Sequence, residues 1–504
     1  MSLLFLFLVS SIPLLFLFYF LSKIFKNTKK SRRNPPGPPG LPFIGNLHQI
    51  NNSSIHTSLW QLSKSYGPII SLRLGFIPTI AISSANLAKE VMKTQDINFC
   101  SRPSLLGQRK LSYDGLDVAF SPHNENWRDM RKIFVLHLFS PKRIQSYRHI
   151  REDEVSNAME KVRNLSLLSK PVKLGKLIKS VTSTIMLRVA FGKRYQDGDE
   201  RKKALRLLDE LQATMADIYV SDIWPGLPFI GLVDRFIGKM DRLEKCFQDF
   251  DSFYQEFIDE HLMSLQNSKS CEEDEDVLDI LLRLMKHDTS GRAQNQIKAM
   301  LMNVFVAGTD TSAATVVWAM TLLMKNPKAM KKAQEEVRNV DGNKGKIDED
   351  HLPKLAYLKA VVKETLRLYP PTPLLLPRET KKDVSVQGYT IKRKSTVYLN
   401  ALAIGRDPES WDSPEEFLPE RFLGSDIDFK GNHFELIPFG AGRRICPGML
   451  KGVVMVELLL ANLLYLFDWG LPYGMEKEDL DFEVNPGITM HKKNELCLLA
   501  HMYL

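Results

Sequence analysis

The sequence predicts a mixed α/β fold that is mainly α-helical, with small β-sheets at its periphery. Three observations predict it. Apolar residues recur mostly at helical spacing from about Asn126 to Lys332. Short β-branched runs bounded by glycine and proline appear near Ile69 to Ser83 and return beyond residue 370. The 504-residue chain is 44% hydrophobic and 25% charged, an ordinary globular balance, and shows no internal repeat.

The first element lies outside that body. Leu3 to Leu21 is almost wholly Leu, Phe, Ile, Val and Tyr. As a helix it spans roughly 28 Å, about the thickness of bilayer hydrocarbon. Lys23, Lys26, Lys29, Lys30, Arg32 and Arg33 follow it, and no acid appears before Glu90. A cleaved signal peptide carries its charge before a shorter apolar core. The pattern therefore predicts a transmembrane signal anchor over residues 1–22, with everything after it cytosolic. Residues 23–42 read as a basic stop-transfer segment and a hinge, because Pro35, Pro36, Pro38, Pro39 and Pro42 make a stiff extended spacer. Residues 43–504 are then expected to form one cytosolic domain, the body that carries the chain's chemistry.

The net charge of +9 comes largely from that basic segment. Without its six cations the body is nearly neutral, so no nucleic-acid partner is implied. Five scattered cysteines with no CxxC pair indicate neither a zinc site nor a disulfide framework.

Within the body, Ile69–Leu74 and Thr79–Ser83 flank Gly75 and Pro78 and predict a hairpin. Ser84 reads as the cap of a helix through Ala85 to Lys93. Helices follow over Trp127–Phe139, Ile150–Arg163, Lys176–Phe191, Lys202–Ile218 and Arg242–Leu265. Trp224 to Ile230 is unusually apolar for a connection; it either packs inside or dips into a membrane beside the anchor. Glu272 to Asp276 reads as a solvated acidic loop before a helix over Val277–Lys286. Strands are expected at Val384–Tyr389 and Thr396–Asn400, and a final helix over Val453–Leu466.

Four constellations carry chemistry. In Pro438-Phe439-Gly440-Ala441-Gly442-Arg443-Arg444-Ile445-Cys446-Pro447-Gly448, a lone cysteine stands among glycines and arginines just before a helix. Helix-opening N–H groups favour a thiolate, and a thiolate so placed can ligate haem iron while arginines hold acidic groups. The alternative is a glycine-rich turn with a buried cysteine. In Ala307-Gly308-Thr309-Asp310-Thr311-Ser312, an acid and a hydroxyl interrupt a long apolar helix, about Ile297–Met324. Gly308 leaves room for something flat. Thr311 either serves an oxygen ligand or bonds the carbonyl one turn back, with Asp310 relaying protons or facing water. Glu364 and Arg367 share one helix face, as a surface pair or, with Arg421, an internal clamp. Trp127 and Arg131 share another face, and Arg378 and Arg444 add further donors that a propionate would accept.

Taken in order, these motifs resemble those of one family, the cytochromes P-450, the haem-thiolate monooxygenases. The wording of PPGPPGLPFIGN, GRDPESWDSPEEFLPERF and IPFGAGRRICPG is similar to the plant microsomal A-type branch. The resemblance covers nearly the whole chain. It implies the cytochrome P-450 fold, with a long central oxygen-binding helix and haem b buried between helices. It implies Cys446 as the metal ligand and Asp310 with Thr311 as the catalytic pair that serves O2. Trp127, Arg131, Arg378 and Arg444 become haem-propionate contacts, and Ala307, Gly308, Phe439 and Gly448 further haem contacts. Substrate contacts are implied at Leu105–Phe120, Asn303–Ala307, Leu374–Leu376 and Ile488-Thr489. One departure is Ser121 to Asn126, where relatives carry an aromatic residue and a glycine.

No strand-to-helix GxGxxG fingerprint is present, so electrons from NADPH are expected through a separate flavoprotein reductase. Arg443 and Lys451 are candidates to face it. Membrane lipid and cytochrome b5 are further implied partners, at the endoplasmic reticulum membrane. The expected reaction is hydroxylation of a small lipophilic plant metabolite: an alkaloid, terpenoid, phenylpropanoid or aldoxime. Ring closure, desaturation or coupling share the chemistry. An O2-independent isomerase or dehydratase, or a haem carrier, would not need the Asp310–Thr311 pair.

Overall fold

The computed structural model describes residues 34–51, 53–192, 199–267, 275–285, 291–340 and 345–503. The anchor over 1–22 and most of the basic segment lie outside the described residues.

The elements that position the site begin with the hairpin β1 (Ile69–Leu74) and β2 (Ile77–Ile82), antiparallel as expected and turning at Gly75. Helix α1 (Glu125–Ile133) follows. Then come α2 (Arg148–Leu167), the short β3 (Val172–Lys173), α3 (Leu174–Phe191) and α4 (Asp199–Ala216). The run α5 (Ile230–Phe236), α6 (Lys239–Asn267) and α7 (Gly291–Lys325) leads to α8 (Ala356–Leu368). Four short strands, β4 (Arg378–Glu379), β5 (Val384–Val386), β6 (Tyr389–Ile391) and β7 (Thr396–Leu399), precede α9 (Met449–Leu466). β8 (Phe467–Gly470) and β9 (Cys497–Met502) end the chain.

The sheets are small. One has the order β1-β2-β7-β4, with β7 parallel to β2 and antiparallel to β4. β3, β9 and β8 form a second sheet, and β5 with β6 a third. Alternate residues of the first sheet, Ile69, Ile80, Ile82, Val397 and Leu399, bury one face against Phe99 and Leu87.

The main core gathers around α7, which packs along α3 and α9. The stretch Ala293–Lys325 and α9 are each apolar enough to cross a membrane, but 83% and 78% of their most apolar windows are buried inside the protein. They are core helices, apolar on all sides because neighbours cover all sides.

The Glu364–Arg367 pair is not at the surface. Both side chains have 0% exposure, and the guanidinium donates to both carboxylate oxygens at 2.7 Å. Arg421 completes the expected clamp at 3.0 Å from Glu364 Oε1. Arg367 also donates to the Gly405, Pro414 and Glu416 carbonyls, tying the segment before the cysteine loop to α8. Every polar atom of a buried pair needs such partners.

Some local expectations are corrected. Ser84 stands at the N-cap but makes no side-chain capping bond, while its helix covers the expected span, widening after Lys89 into a π-helical turn over Glu90–Thr94. Glu272 to Asp274 lie outside the described residues, but Glu275 and Asp276 are buried, not solvated. Glu275 pairs with Arg283, and Asp276 forms a capping box with Asp279, because a helix start needs acceptors for its free N–H groups. The apolar connection after Trp224 is exposed: Phe229 is 80% and Phe236 92% accessible.

Candidate active site

The cysteine loop reaches its position through two glycines with positive φ, Gly440 and Gly442. At Gly442 a side chain would collide with the Met92 carbonyl oxygen, so only glycine lets the loop lie this close to its neighbour. The Cys446 N–H donates to the Phe439 carbonyl at 3.0 Å, closing the loop on itself. Burial pushes the Cys446 thiol up; the Gly448 N–H and the Arg131 charge act against that.

Cys446 lines a cavity whose opposite wall is α7, at Ala307, Gly308, Thr311 and Ser312. Apolar groups make most of the remaining surface, among them Val118, Phe120, Phe134, Met302, Val306 and Leu375. The charge on these walls has one sign. Arg102, Arg131, Arg378, Arg444 and Lys451 line the cavity, and among the described residues no Asp or Glu does.

The four expected propionate donors fall into different situations. Arg131 reaches the cavity with no hydrogen bond or ion pair among the described residues, and burial pulls its pKa down. Arg378 is shared, at 3.0 Å from Asp96 and 3.1 Å from the Ala441 carbonyl. Arg444 donates to the Cys100, Val118 and Ser121 carbonyls, and burial pushes it down to about 10. Trp127 is not on the wall. Its Nε1–H donates to the Val118 carbonyl at 3.1 Å, and its ring lies 4.1 Å below the Arg444 guanidinium, supporting that arginine from behind.

This donor set fits haem. A thiol, an unpaired guanidinium and three further cavity-lining arginines without a lining acid among the described residues are short of anionic charge, and a flat dianionic macrocycle supplies it. Phe439 and Gly448 line the same cavity as Cys446. Gly308 also lines it, but the room of its missing side chain is taken by Met186, whose Cε lies 2.6 Å from where a Cβ would stand.

Thr311 and Asp310 part company. Thr311 lines the cavity and its hydroxyl donates to the Ala307 carbonyl at 2.8 Å, the backbone-bonded arrangement. Asp310 does not face bulk water: it is 1% exposed and turns the other way, accepting a hydrogen bond from His491 Nε2 at 2.7 Å. Burial alone would raise its carboxyl; His491, Lys179 and Thr489 together hold it below the ordinary value. Lys451 cannot face a partner. It is 3% exposed, its Nζ packs on Met186 Sδ, and burial with the nearby Arg151 charge pulls it to about 7. Arg443 keeps about half of its side chain exposed while binding Asp96.

The segments expected to meet substrate divide between those that line the cavity and those that do not. Val118 to Phe120, Asn303 to Ala307, Leu375, Leu376, Ile488 and Thr489 reach the cavity, apart from Phe305. Leu105, Leu106 and Leu374 do not; Leu106 joins the main core and Leu374 packs beneath the first sheet.

Sequence reasoning missed the device that shapes the loop over 117–121. Asp117, fully buried, accepts from the N–H groups of Ala119, Phe120 and Ser121. Asn303 on α7 donates to Asp117 at 2.9 Å and accepts from the Val118 and Ala119 N–H groups. Asn124 then caps α1 by accepting from the Trp127 N–H, which accounts for the atypical Ser121–Asn126 wording. Arg102, Gln212, Met215 and His491 were also missed. Only the unusual Asn303 in an apolar helix was a signal that could have pointed to the loop.

The family model described as Cytochrome P450 matches residues 35–498. A 6,7,8-trihydroxycoumarin synthase of Pastinaca sativa is 48% identical over 480 residues, covering 93% of each chain. A 5-OH-xanthotoxin synthase of the same plant is 48% identical over 94% of each chain, and Cytochrome P450 71A9 of Glycine max 47% over 97% of each. Among solved structures, a zebra fish cytochrome P450 with progesterone superposes with a TM-score of 0.75 at 25% identity, over 89% of this chain and 99% of that one.

Proposed function

Because this chain belongs to the cytochrome P450 family and is a plant-type haem-thiolate monooxygenase, we propose that it hydroxylates a planar, oxygenated phenylpropanoid of the coumarin type. One observation carries the placement of its chemistry: Cys446 and Thr311 line one cavity, walled by cations and apolar groups and by no acid among the described residues. The two coumarin-directed relatives support the substrate class. So does the wall itself, where Gln212 and Thr489 stand among apolar groups and can hydrogen-bond a ring oxygen or hydroxyl.

When bound, haem supplies O2 activation with electrons delivered from NADPH by the reductase. The chain's own residues do the rest. Cys446 would hold the iron through its sulfur, to which the Gly448 N–H donates. Arg131, Arg378 and Arg444 would hold the propionates, with Trp127 supporting Arg444. Val118, Phe120, Val306, Leu375 and Ile488 hold the substrate and keep water away from it. Thr311 keeps a hydroxyl proton at the cavity wall, and Asp310 one residue earlier replaces it.

Residues 1–22 form a single-pass anchor in the endoplasmic reticulum membrane, 23–42 a basic segment and hinge, and 43–504 the catalytic domain. Phe229, Leu232 and Phe236 make a second contact with lipid. Trp224 stacks on Phe43, just past the hinge, at 5.6 Å, which keeps this apolar patch on the anchor side. The exposed cations Arg128 and Lys132, on the helix that carries Arg131, and Arg443 are offered to the reductase and to cytochrome b5.

The test is turnover by membranes containing the chain and a reductase, with coumarins, xanthotoxin, terpenoids and alkaloids as probes. A hydroxylated coumarin-type product that requires NADPH supports the reading. Turnover of a terpenoid or alkaloid alone would overturn the substrate class.

A further inference from the structure

A second cavity, of about 480 Å³, lies on the other side of α7 from the haem cavity. Among apolar groups its walls carry both signs of charge: Asp310 from α7, Lys176 and Lys179 from α3, Asp209 from α4, and His491 and Glu495 from the C-terminal segment. Lys492 and Lys493 also border it but are paired with Asp481 and Glu483. Gln212, Ile488 and Thr489 line both cavities, so they form the wall between them.

Asp310 is the most buried group of this chamber. One oxygen takes the His491 hydrogen bond; the other, Oδ1, makes no hydrogen bond among the described residues and lies 3.6 Å from the Lys179 ammonium. Lys179 is itself bonded to Asp209. A buried carboxylate oxygen without a hydrogen bond is costly, and Oδ1 has almost no accessible surface of its own; its link to the chamber is the Lys179 ammonium, which is partly exposed. The next residue, Thr311, presents its hydroxyl to the other cavity. One turn of α7 thus spans an aqueous side and an apolar side.

We infer that His491 is a positioning residue that holds the Asp310 carboxylate in this chamber, so that protons reach the reaction from the side of Lys179 and Asp209 and not through the substrate cavity. The inference rests on the monooxygenase reading. Asp310 takes a proton at Oδ1 from the Lys179 ammonium, which recovers one from solvent in the chamber, and passes one on across the wall at Thr489 and Gln212, so both charges are restored after each transfer. Substrate can then fill the apolar cavity completely without interrupting the supply.

The test uses the full-length holoenzyme with its reductase, His491→Leu, the donor-preserving His491→Gln, and Lys179→Met. Every preparation is first checked for the thiolate-type reduced carbon-monoxide spectrum. If wild type lacks that spectrum, the monooxygenase reading has failed. If all preparations have it, NADPH oxidation without added organic substrate is compared in H2O and D2O. The expected result for His491→Leu is a fall of about tenfold with a larger solvent isotope effect, and substantial recovery in His491→Gln. A purely structural role would not change the isotope effect. A readout without turnover is labelling of His491 by diethylpyrocarbonate at fixed pH, which should be faster in Asp310→Ala because the Nε2 partner is gone. If the rates and isotope effects of all three variants equal wild type, or His491 labels equally fast in Asp310→Ala, the inference is overturned.

Discussion

The Asn303 side chain on α7 and the Asp117 carboxylate in the loop before α1 meet at 2.9 Å, 186 residues apart in sequence. Between them they occupy the N–H groups of four consecutive residues, Val118 to Ser121, and so fix the part of that loop that lines the cavity.

Replacing Cys446 by serine should abolish the thiolate-type Soret band of the reduced carbon-monoxide complex. A hydroxyl cannot supply the soft anionic ligand. A band unchanged in Cys446→Ser would remove Cys446 from the iron.

Arg131 is the cavity arginine without a protein partner among the described residues. Arg131→Ala should therefore weaken haem retention more than Arg378→Ala, which leaves Asp96 to reorganise. Haem transfer to apomyoglobin measures this. The loss expected is about tenfold or more, the usual worth of a charge-assisted hydrogen bond. Equal transfer rates in wild type and Arg131→Ala would be the contrary result.

Removing one partner of the fully buried Glu364–Arg367 pair strands a charge. Glu364→Ala should lower stability by about 3–5 kcal/mol. Urea unfolding followed by tryptophan fluorescence reads it. A loss below ~1 kcal/mol would mean the pair is solvated.

Glu457, 7% exposed on α9, is pushed up to about 7 by burial, with Lys359 and Lys363 opposing. The folded state thus binds its proton more tightly than the unfolded chain does. Stability from this group falls as pH rises from the unfolded value near 4.5 to the folded one, and stays reduced above it. Glu457→Gln should match wild type near pH ~4.5 and melt at a higher temperature at pH ~8. The same melting difference at both pH values would contradict the sign.

Phe229 and Phe236 are exposed on the connection to α5 and on α5 itself. In full-length chain reconstituted in nanodiscs, a fluorophore on Phe229→Cys should be quenched by brominated acyl chains. Each such side chain is worth about 1.5–3 kcal/mol when buried in lipid. No quenching would place the patch in water.

Much of this was legible because it depends on local pattern. The helical stretches, the hairpin at Gly75 and the composition of the cysteine loop follow from periodicity and turn chemistry. Which way a buried polar side chain points does not. Asp310 and Thr311 are neighbours in sequence, yet the helix turns them into separate cavities, and the choice is made by His491 on a distant segment. Lys451 looked like a surface cation because lysine usually is one. Its burial follows from α3 and α7 closing over α9, a tertiary fact. Trp127 missed the wall for a similar reason: Arg444, brought in from the far end of the chain, stands in front of it.

The Asn303–Asp117 tie has a meaning for how this enzyme can change. A new roof loop grafted onto this scaffold without its partner at position 303 would arrive with its backbone donors unsatisfied. Mutations in the two segments are therefore not independent steps, and the effect of either depends on the state of the other. Shifts in preference at this roof should be inherited as linked exchanges between loop and helix, with the single-site intermediates poorer than both end points.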